Sequence, residues 1–331
     1  MSDTILVTGA AGFAGSHLLA LLRRAGPEAA LLGWRRPPVD GAREEEAAPR
    51  PFPGEVAWRE VDLLDGPGVR RAIAERPPSH VYHCAGIANV NGSWAEREAT
   101  LRGNVAGTEH LLAALRGLPA PPRVLIPGSA LVYRPSTAAL PETAPLGPVS
   151  PYGASKLEQE RVGLEAARGE GMPVVVARSF THIGPGQDPA YAASSFAEQI
   201  ARIEAGLAEP VLSVGDLEAR RDLTDVRDTV RAYRALMARG TAGRPYNVCS
   251  GAAHRMGDVL DGLLALATVP IAVRQDPARL RPSDNPVLLG DRSRITAELG
   301  WKPRRPLSET LSDLLGYWRG VLAGEPPSFD P

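Results

Sequence analysis

The chain has 331 residues, which predicts about two domains or one large α/β unit, because domains average roughly 150 residues. Its 44% hydrophobic and 23% charged residues are typical of a globular protein and exclude wholesale disorder. The 37 basic and 38 acidic residues give a net charge of −1, which argues against binding to nucleic acid or to a membrane surface. Two cysteines supply neither a disulfide framework nor a four-cysteine zinc site. We therefore expect a soluble, cytoplasmic protein and predict no metal site.

Short apolar runs alternate with segments of helical period through the first half of the chain. The predicted strands are residues 4–8, 29–32, 55–58, 80–83, 123–126 and 173–177, and the predicted helices are 13–25, 66–75, 94–116 and 152–168. Such alternation predicts an α/β fold with a doubly wound parallel sheet, covered by helices on both faces. The uncharged run at 4–22 does not predict a membrane span, because three glycines interrupt it.

The second half predicts shorter elements: helices near 196–205, 226–239, 256–267 and 307–322, and a strand at 211–214. Proline and charge make 37–54 a predicted solvated loop, and 135–151 a second loop. We predict a modified Rossmann domain for NAD(P) binding at residues 1–178, to which 226–244 return. Residues 179–225 and 245–331 then form a smaller substrate lobe over the carboxyl ends of the strands, where open α/β sheets bind ligands.

The first predicted strand leads directly into a glycine-rich turn and then into a leucine-rich helix. Gly9, Gly12 and Gly15 permit a tight turn and a close approach of main-chain N–H groups to a pyrophosphate. The N-terminus of the helix adds partial positive charge. The position between a strand and a helix predicts cofactor binding, and a purely structural turn is the alternative.

The ends of the second and third strands indicate which dinucleotide binds. An NAD fingerprint has an acidic residue after the second strand, whereas here Arg35 and Arg36 follow it and can grip a 2′-phosphate. This favours NADP(H), with NAD(H) possible, and a pair of solvated surface arginines is the alternative. Asp62, which ends the third strand, is predicted either to bond the adenine or to cap a helix.

Tyr152 and Lys156 are four residues apart, which places them on one face of a helix. A lysine ammonium can lower the tyrosine pKa from about 10 towards neutrality and so produce a phenol that exchanges protons near pH 7. Lys156 and Lys302 are the only lysines among the 37 basic residues, which indicates a task for Lys156 that a guanidinium cannot perform. A surface Tyr–Lys pair is the alternative.

With these motifs the sequence resembles the extended short-chain dehydrogenase/reductases that act on nucleotide sugars. The first half carries the resemblance in TGAAGFAG (8–15), HCAG (83–86), NVAGT (104–108), Ser129 and YGASK (152–156). The second half is most similar to the GDP-6-deoxy-D-mannose reductases, which are related to the GDP-mannose 4,6-dehydratases. It carries RSFTHIGPGQ (178–187), GDLEARRDLTDVRD (215–228), YNVCSG (246–251) and RPSDNPVLLGD followed by LGWKP (281–303).

The resemblance implies NAD(P)H-dependent reduction of a 4-keto-6-deoxy nucleotide sugar, such as GDP-4-keto-6-deoxy-mannose, to GDP-rhamnose. It implies that Ser129 hydrogen-bonds the sugar 4-oxygen, that Tyr152 donates the proton and that Lys156 holds the nicotinamide ribose. The predicted cofactor-binding residues are Gly9, Gly12, Phe13, Gly15, Arg35, Arg36, Asp62, Leu63, Ala85, Gly86, Asn104, Tyr152 and Lys156.

The residues implied in substrate binding are Ser129, Thr181, Arg221, Arg281 and Asp284. The two arginines would grip the diphosphate, because guanidinium forks suit phosphate oxygens, and Asp284 would contact the nucleotide ribose. Surface ion pairs are the alternative for the arginines, and a turn role is the alternative for Asp284.

Three positions depart from the family pattern. Thr181 replaces an asparagine, Arg134 replaces a glycine, and Leu131 stands where the dehydratases have a glutamate. Leu131 disfavours dehydration, and we expect the nearby Glu142 to be solvated. A nucleotide-sugar 4-epimerase with tightly bound NAD is the second hypothesis, a dehydratase the third, and a non-enzymatic nucleotide-binding protein the last.

Apolar residues beyond one core stripe mark the predicted helices at 94–116 and 152–168. They are Leu111, Leu112, Leu115, Leu157, Val162 and Leu164. In the family these two helices pair with their copies in a four-helix bundle, so the resemblance implies a homodimer. His83, His182 and Cys84 lie near the motifs, and we expect each to pack in the interior.

Overall fold

A seven-stranded parallel sheet forms the centre of the computed structural model, which describes residues 3–38, 55–88, 90, 92–279 and 285–325. Along the sheet the strands are β10 (Pro245–Val248), β6 (Val174–Ser179), β5 (Arg123–Ser129), β4 (His80–His83), β1 (Thr4–Thr8), β2 (Ala30–Arg35) and β3 (Ala57–Glu60). The strand order reverses between β1 and β4, which is the point at which doubly wound sheets bind ligands. The predicted fold class is confirmed.

Helices cover both faces of this sheet, as the continuous apolar strands require. They are α1 (Phe13–Ala25), α2 (Gly66–Glu75), α3 (Arg97–Arg116), α4 (Pro151–Glu170), α5 (Ala192–Glu204), α6 (Val226–Arg239), α7 (Met256–Leu264), α8 (Ser293–Leu299) and α9 (Leu307–Leu322). One buried core joins α1 and α6 to the sheet, and a second joins α2, α3 and α4 to its other face.

A smaller lobe has its own core, formed by α5, α7 and α9 around β8 (Val211–Val214). Its strands are β7 (Thr181–Ile183), β9 (Arg220–Asp225), β11 (Ala253–Arg255) and β13 (Val287–Leu288) in one sheet, with β12 (Ala272–Gln275) beside β8.

The predicted domain boundaries assigned every residue from 245 onward to this lobe. However, β10 is the edge strand of the central sheet, and α8 packs on the same core through Ile295 and Leu299. We therefore propose that both elements belong to the Rossmann domain.

The leucines that suggested a dimer face lie inside the protomer. Leu111, Leu112, Leu115, Leu157 and Leu164 are all buried and Val162 is partly buried, because one set of helix positions packs on the sheet while α3 and α4 pack against each other. The argument from these leucines is therefore wrong. The large apolar residues exposed near the start of α3 are Trp94, at 57%, and Leu101, at 45%.

The uncharged run at residues 4–22 forms β1, the glycine turn and most of α1. Across the described ranges, no helix is both long enough and apolar enough to cross a bilayer.

Candidate active site

The turn between β1 and α1 brings the main chain close to the end of β4. Gly9 has a φ of +63°, and a Cβ there would lie 2.7 Å from the Cα and N atoms of Ala85. A Cβ on Gly15 would lie 2.2 Å from the main-chain oxygen of Gly9. Because neither position accepts a side chain, this turn requires glycine at both places.

The first turn of α1 offers uncapped main-chain N–H groups. Its N-cap, Gly12, has no side chain to accept their hydrogen bonds, and the first turn contains no acidic residue. These donors and the partial positive charge of the helix end suit an anion. The turn and the helix start therefore fit the pyrophosphate of a dinucleotide, as the glycine spacing predicted.

The end of β2 adjoins the glycine turn, because the Ala10 N–H donates to the main-chain oxygen of Trp34 over 3.1 Å. Arg35 and Arg36 follow directly, so both predicted arginines lie beside the candidate dinucleotide site. Arg36 is exposed, whereas Arg35 Nη2 lies 2.9 Å from Glu60 Oε1 on β3.

Asp62 stabilises the turn that follows β3. Its Oδ1 accepts a hydrogen bond from the Leu64 N–H over 2.9 Å. The N-cap of α2 is Asp65, whose Oδ1 accepts from the Gly68 N–H over 3.1 Å, so the helix-cap alternative for Asp62 is wrong. Leu63 is half-buried and supports the same region, because its main-chain oxygen is 2.8 Å from His110 Nδ1.

The end of β4 is bound tightly to β1 and α3. His83 is buried, and its two ring nitrogens each lie 2.9 Å from a threonine hydroxyl, that of Thr8 and that of Thr108. Burial lowers the pKa of His83 to about 3, so the ring is neutral near pH 7. The Ala85 N–H also donates to the Thr8 hydroxyl, over 3.2 Å. These bonds place Ala85 against the glycine turn.

Asn104 connects the chain after β4 to α4. Its Oδ1 accepts from the Ile87 N–H over 2.8 Å, and its Nδ2 donates to the Ile87 oxygen over 3.2 Å and to Ser155 Oγ over 2.9 Å. A Cβ on Gly86 would lie 2.7 Å from Asn104 Oδ1. Because both amide hydrogens are engaged, we interpret Asn104 as a residue that holds the chain after β4 in position beside the candidate cofactor site.

The structure brings Ser129 and Tyr152 together. Ser129 ends β5 and is buried, and Tyr152 lies in the first turn of α4, behind the N-cap Ser150. Burial raises the pKa of Tyr152 to about 12, although a hydrogen bond with the Ser129 side chain acts in the opposite direction. The main-chain N–H of Tyr152 donates to Ser93 Oγ over 3.2 Å. The phenol therefore carries its proton at pH 7.

Lys156 is buried one turn further along α4. Its Nζ donates to the main-chain oxygen of Pro127 over 2.7 Å and to the side chain of Gln159. Burial lowers the pKa of Lys156 to about 8. The prediction that Lys156 brings the Tyr152 pKa down to neutrality is wrong for this structure. The ammonium is directed at Pro127 and Gln159, and burial dominates the pKa of the phenol.

The substrate lobe places two predicted residues on one small sheet. Thr181 begins β7 and is paired with Leu223 of β9, two residues after Arg221. Arg221 is half-buried, and its Nη1 donates to the main-chain oxygens of Arg220, over 2.8 Å, and Pro286, over 3.3 Å. Arg281 and Asp284 lie outside the described residues, as do residues 39–54 of the predicted loop at 37–54.

Phe13 and His182 join the two lobes. Their rings stack with centroids 5.7 Å apart and planes 9° from parallel. Burial lowers the pKa of His182. His182 is half-buried, and the partner that it packs against is Phe13, the first residue of α1.

Tyr191 lies near the candidate site and was not predicted from the sequence. It is the N-cap residue of α5, and its hydroxyl donates to the main-chain oxygen of Ala88 over 3.0 Å. Its phenol is close enough to contribute to the raised pKa of Tyr152. A single tyrosine after a loop carries no spacing signal, so only the three-dimensional arrangement identifies it.

Glu142 corrects another prediction. We expected it to be solvated, but its side chain is 4% exposed. Its Oε1 accepts from the Asn247 N–H over 2.9 Å, and its Oε2 lies 3.6 Å from Arg294 Nε. These partners are more than 100 residues away in sequence, which explains why the local composition was misleading.

The glycine turn at the first βα junction, Ser129 at the end of β5, and Tyr152 and Lys156 in the first two turns of α4 define a nucleotide-binding oxidoreductase of the extended short-chain type. The chain belongs to the GDP-mannose 4,6 dehydratase family, whose profile matches residues 6–314. The predicted family is confirmed.

Individual relatives are similar over their whole length. The GDP-6-deoxy-D-mannose reductase of Pseudomonas aeruginosa is 35% identical over 329 residues, which cover 98% of this chain and 100% of that protein. A solved structure of RMD from Pseudomonas aeruginosa complexed with NADPH has a TM-score of 0.81 at 32% identity, with 97% of this chain and 100% of that chain covered. UDP-glucose 4-epimerase from Thermus thermophilus, in complex with NAD, has a TM-score of 0.81 at 29% identity, with 96% and 99% covered.

Proposed function

We propose that the protein reduces the 4-keto group of a 4-keto-6-deoxy nucleotide sugar, with GDP-4-keto-6-deoxy-mannose as substrate and GDP-rhamnose as product. The observation that carries the proposal is the arrangement of Ser129 at the end of β5 and of Tyr152 and Lys156 in the first two turns of α4, which the hydrogen bond from Lys156 to Pro127 attaches to β5. The similarity to a GDP-6-deoxy-D-mannose reductase over the whole chain supports this substrate class.

Ser129, Tyr152 and Lys156 have separate roles in the proposed reduction. When bound, the reduced nicotinamide supplies the hydride that carbon 4 of the sugar needs. Ser129 hydrogen-bonds the 4-oxygen, and Tyr152 donates the proton that completes the hydroxyl. A phenol whose pKa is raised to about 12 holds that proton until charge develops on the oxygen. Lys156, whose pKa is about 8, is largely protonated at pH 7 beside β5. Its charge favours the negative charge that develops on the 4-oxygen, and we propose that its remaining hydrogen-bond donor binds the nicotinamide ribose.

NADP(H) is the proposed cofactor, and NAD(H) is the alternative. Arg35 and Arg36 lie beside the glycine turn and offer donors to a 2′-phosphate. A relative of known structure is complexed with NADPH, whereas a similar epimerase is complexed with NAD. For the sugar nucleotide, we propose that Arg221 and Arg281 bind the diphosphate, that Asp284 contacts the ribose and that Thr181 lines the sugar site.

The second candidate function is 4-epimerisation with tightly held NAD, because the same serine, tyrosine and lysine serve it. A dehydratase is the third candidate and is disfavoured. Leu131 offers no proton, and the Glu142 carboxylate is already engaged by Asn247 and Arg294. We also propose a homodimer, in which the exposed Trp94 and Leu101 near the start of α3 are covered. A cytoplasmic location remains a prediction.

The experiment is to incubate the purified protein with NADPH and GDP-4-keto-6-deoxy-mannose and to follow the absorbance of the reduced cofactor. Stoichiometric oxidation of NADPH with formation of a GDP-6-deoxyhexose supports the reductase. An epimerase would instead retain its cofactor through purification and release it only on denaturation. Tightly retained NAD without net oxidation of added NADPH would therefore move the epimerase to first place.

A further inference from the structure

An ion pair joins the carboxyl ends of β2 and β3. Arg35 and Glu60 are opposite each other in the parallel register, and Arg35 Nη2 lies 2.9 Å from Glu60 Oε1. The Val61 N–H also donates to the Arg35 oxygen over 2.9 Å, so the two strand ends are held together. The side chains are 27% and 44% exposed, so a ligand can reach both.

This pair lies next to the candidate dinucleotide site. Trp34, the residue before Arg35, accepts a hydrogen bond from Ala10 in the glycine turn. In the doubly wound fold, the residues at this end of β2 contact the adenosine ribose. A carboxylate therefore lies beside the guanidinium that would meet a 2′-phosphate.

We infer that Glu60 is a specificity-determining residue for the dinucleotide, because it reduces the attraction of Arg35 for a 2′-phosphate. The inference rests on the proposed cofactor. A phosphate at Arg35 has to share the guanidinium donors with Glu60 and is repelled by its charge. A neutral 2′-hydroxyl meets no repulsion and can donate to a carboxylate. Glu60 thus narrows the difference in affinity between NADPH and NADH.

The test is Glu60→Gln, because the glutamine amide oxygen can still accept from Arg35 while the negative charge is removed. The matched control is Glu75→Gln. Glu75 pairs with Arg59, the neighbour of Glu60 on β3, at 2.6 Å, so the control removes the same charge from an adjacent ion pair. Successive strand residues point to opposite faces, so Arg59 lies away from Arg35. Dissociation constants for NADPH and NADH are measured by direct titration without a sugar substrate.

We expect Glu60→Gln to tighten NADPH binding about fivefold to twentyfold and to change NADH binding less than about twofold. The gain should shrink at high ionic strength, since both side chains are partly exposed. The control should leave both constants near those of the unmodified protein. Weaker NADPH binding in Glu60→Gln, or an equal change of the NADPH dissociation constant in Glu75→Gln, would overturn this inference and leave the proposed function standing. An unmodified protein that binds neither dinucleotide would overturn the proposed function as well.

Discussion

The Lys156 ammonium donates a 2.7 Å hydrogen bond to the main-chain oxygen of Pro127, two residues before Ser129 on the same strand. Tyr152 lies one turn earlier on the helix that carries Lys156. The bond therefore attaches the first turns of α4 to the end of β5. We therefore expect Lys156 to hold the serine and the tyrosine in fixed relative positions, in addition to supplying a positive charge.

Tyr152→Phe should reduce turnover at least about a hundredfold while NADPH still binds, because the proton donor is lost and the other cofactor-binding residues remain. Steady-state assays and a cofactor titration on the same preparation measure the two quantities. Tyr317→Phe is the control, since Tyr317 lies against Trp318 on α9, outside the site. Unchanged turnover in Tyr152→Phe would refute its assignment as proton donor.

The pH profile of reduction should report on Lys156. Its pKa is lowered to about 8, so the ammonium is present below that pH and is lost as the pH rises through it. Tyr152, with its pKa raised to about 12, keeps its proton over this range. We therefore expect kcat/KM to fall above about pH 8.

Measuring the same pH profile for Lys156→Arg distinguishes the effect of the positive charge at position 156 from the effect of the side-chain shape. A guanidinium stays charged but cannot reproduce the contacts of a compact ammonium, so activity should be strongly impaired and the decline near pH 8 should disappear. Near-normal activity in this variant would show that Lys156 has no special role. A decline at the same pH would assign that titration to another group.

The unmodified protein should not convert GDP-mannose and NADP to the 4-keto-6-deoxy sugar, even on long incubation. Dehydration across carbons 5 and 6 needs a base and an acid, and Leu131 supplies neither. Leu131→Glu should also fail to produce an efficient dehydratase, because an added carboxylate is neither positioned nor tuned in pKa. Chromatography measures the 4-keto product that each protein forms. Abundant 4-keto product from the unmodified protein would make the dehydratase the first candidate function.

Leu101→Arg should convert the proposed dimer to a monomer, because it places a charge on an exposed apolar position near the start of α3. Light scattering at micromolar concentration measures the mass. Leu266→Arg, which changes an exposed leucine after α7, is the control and should leave the dimer intact. A monomer mass for the unmodified protein would refute the dimer.

Long periodic segments made much of the fold predictable. The bounds of β1, α1, α2, β4, β8, α6 and α9 agree with the prediction, since their apolar residues repeat regularly over each element. The strands β7, β11 and β13 were missed because they have only two or three residues, and β9 and β12 were missed because polar and charged residues interrupt their apolar positions. The residues 246–248 of β10 were recognised only as a motif, because the run Tyr-Asn-Val is short and a polar residue interrupts it.

The sequence indicated those parts of the candidate site whose geometry a local pattern determines, as with the turn at Gly9 and Gly15 or with Tyr152 and Lys156 on one helix. The pKa values were not predictable, because they depend on burial and on partners from other elements. Lys156 points to Pro127, which lies 29 residues earlier in the chain. Glu60 escaped notice for the same reason, since its pairing with Arg35 depends on the register of two strands.

Transfer of label from deuterated cofactor tests the central claim most directly. NADPH carrying deuterium on the transferable position of its nicotinamide is incubated with the protein and GDP-4-keto-6-deoxy-mannose, and the product sugar is examined by NMR and mass spectrometry. The proposed reduction predicts one deuterium at carbon 4, with one NADP formed for each product molecule. Product without deuterium at carbon 4, or turnover without net oxidation of NADPH, would contradict it.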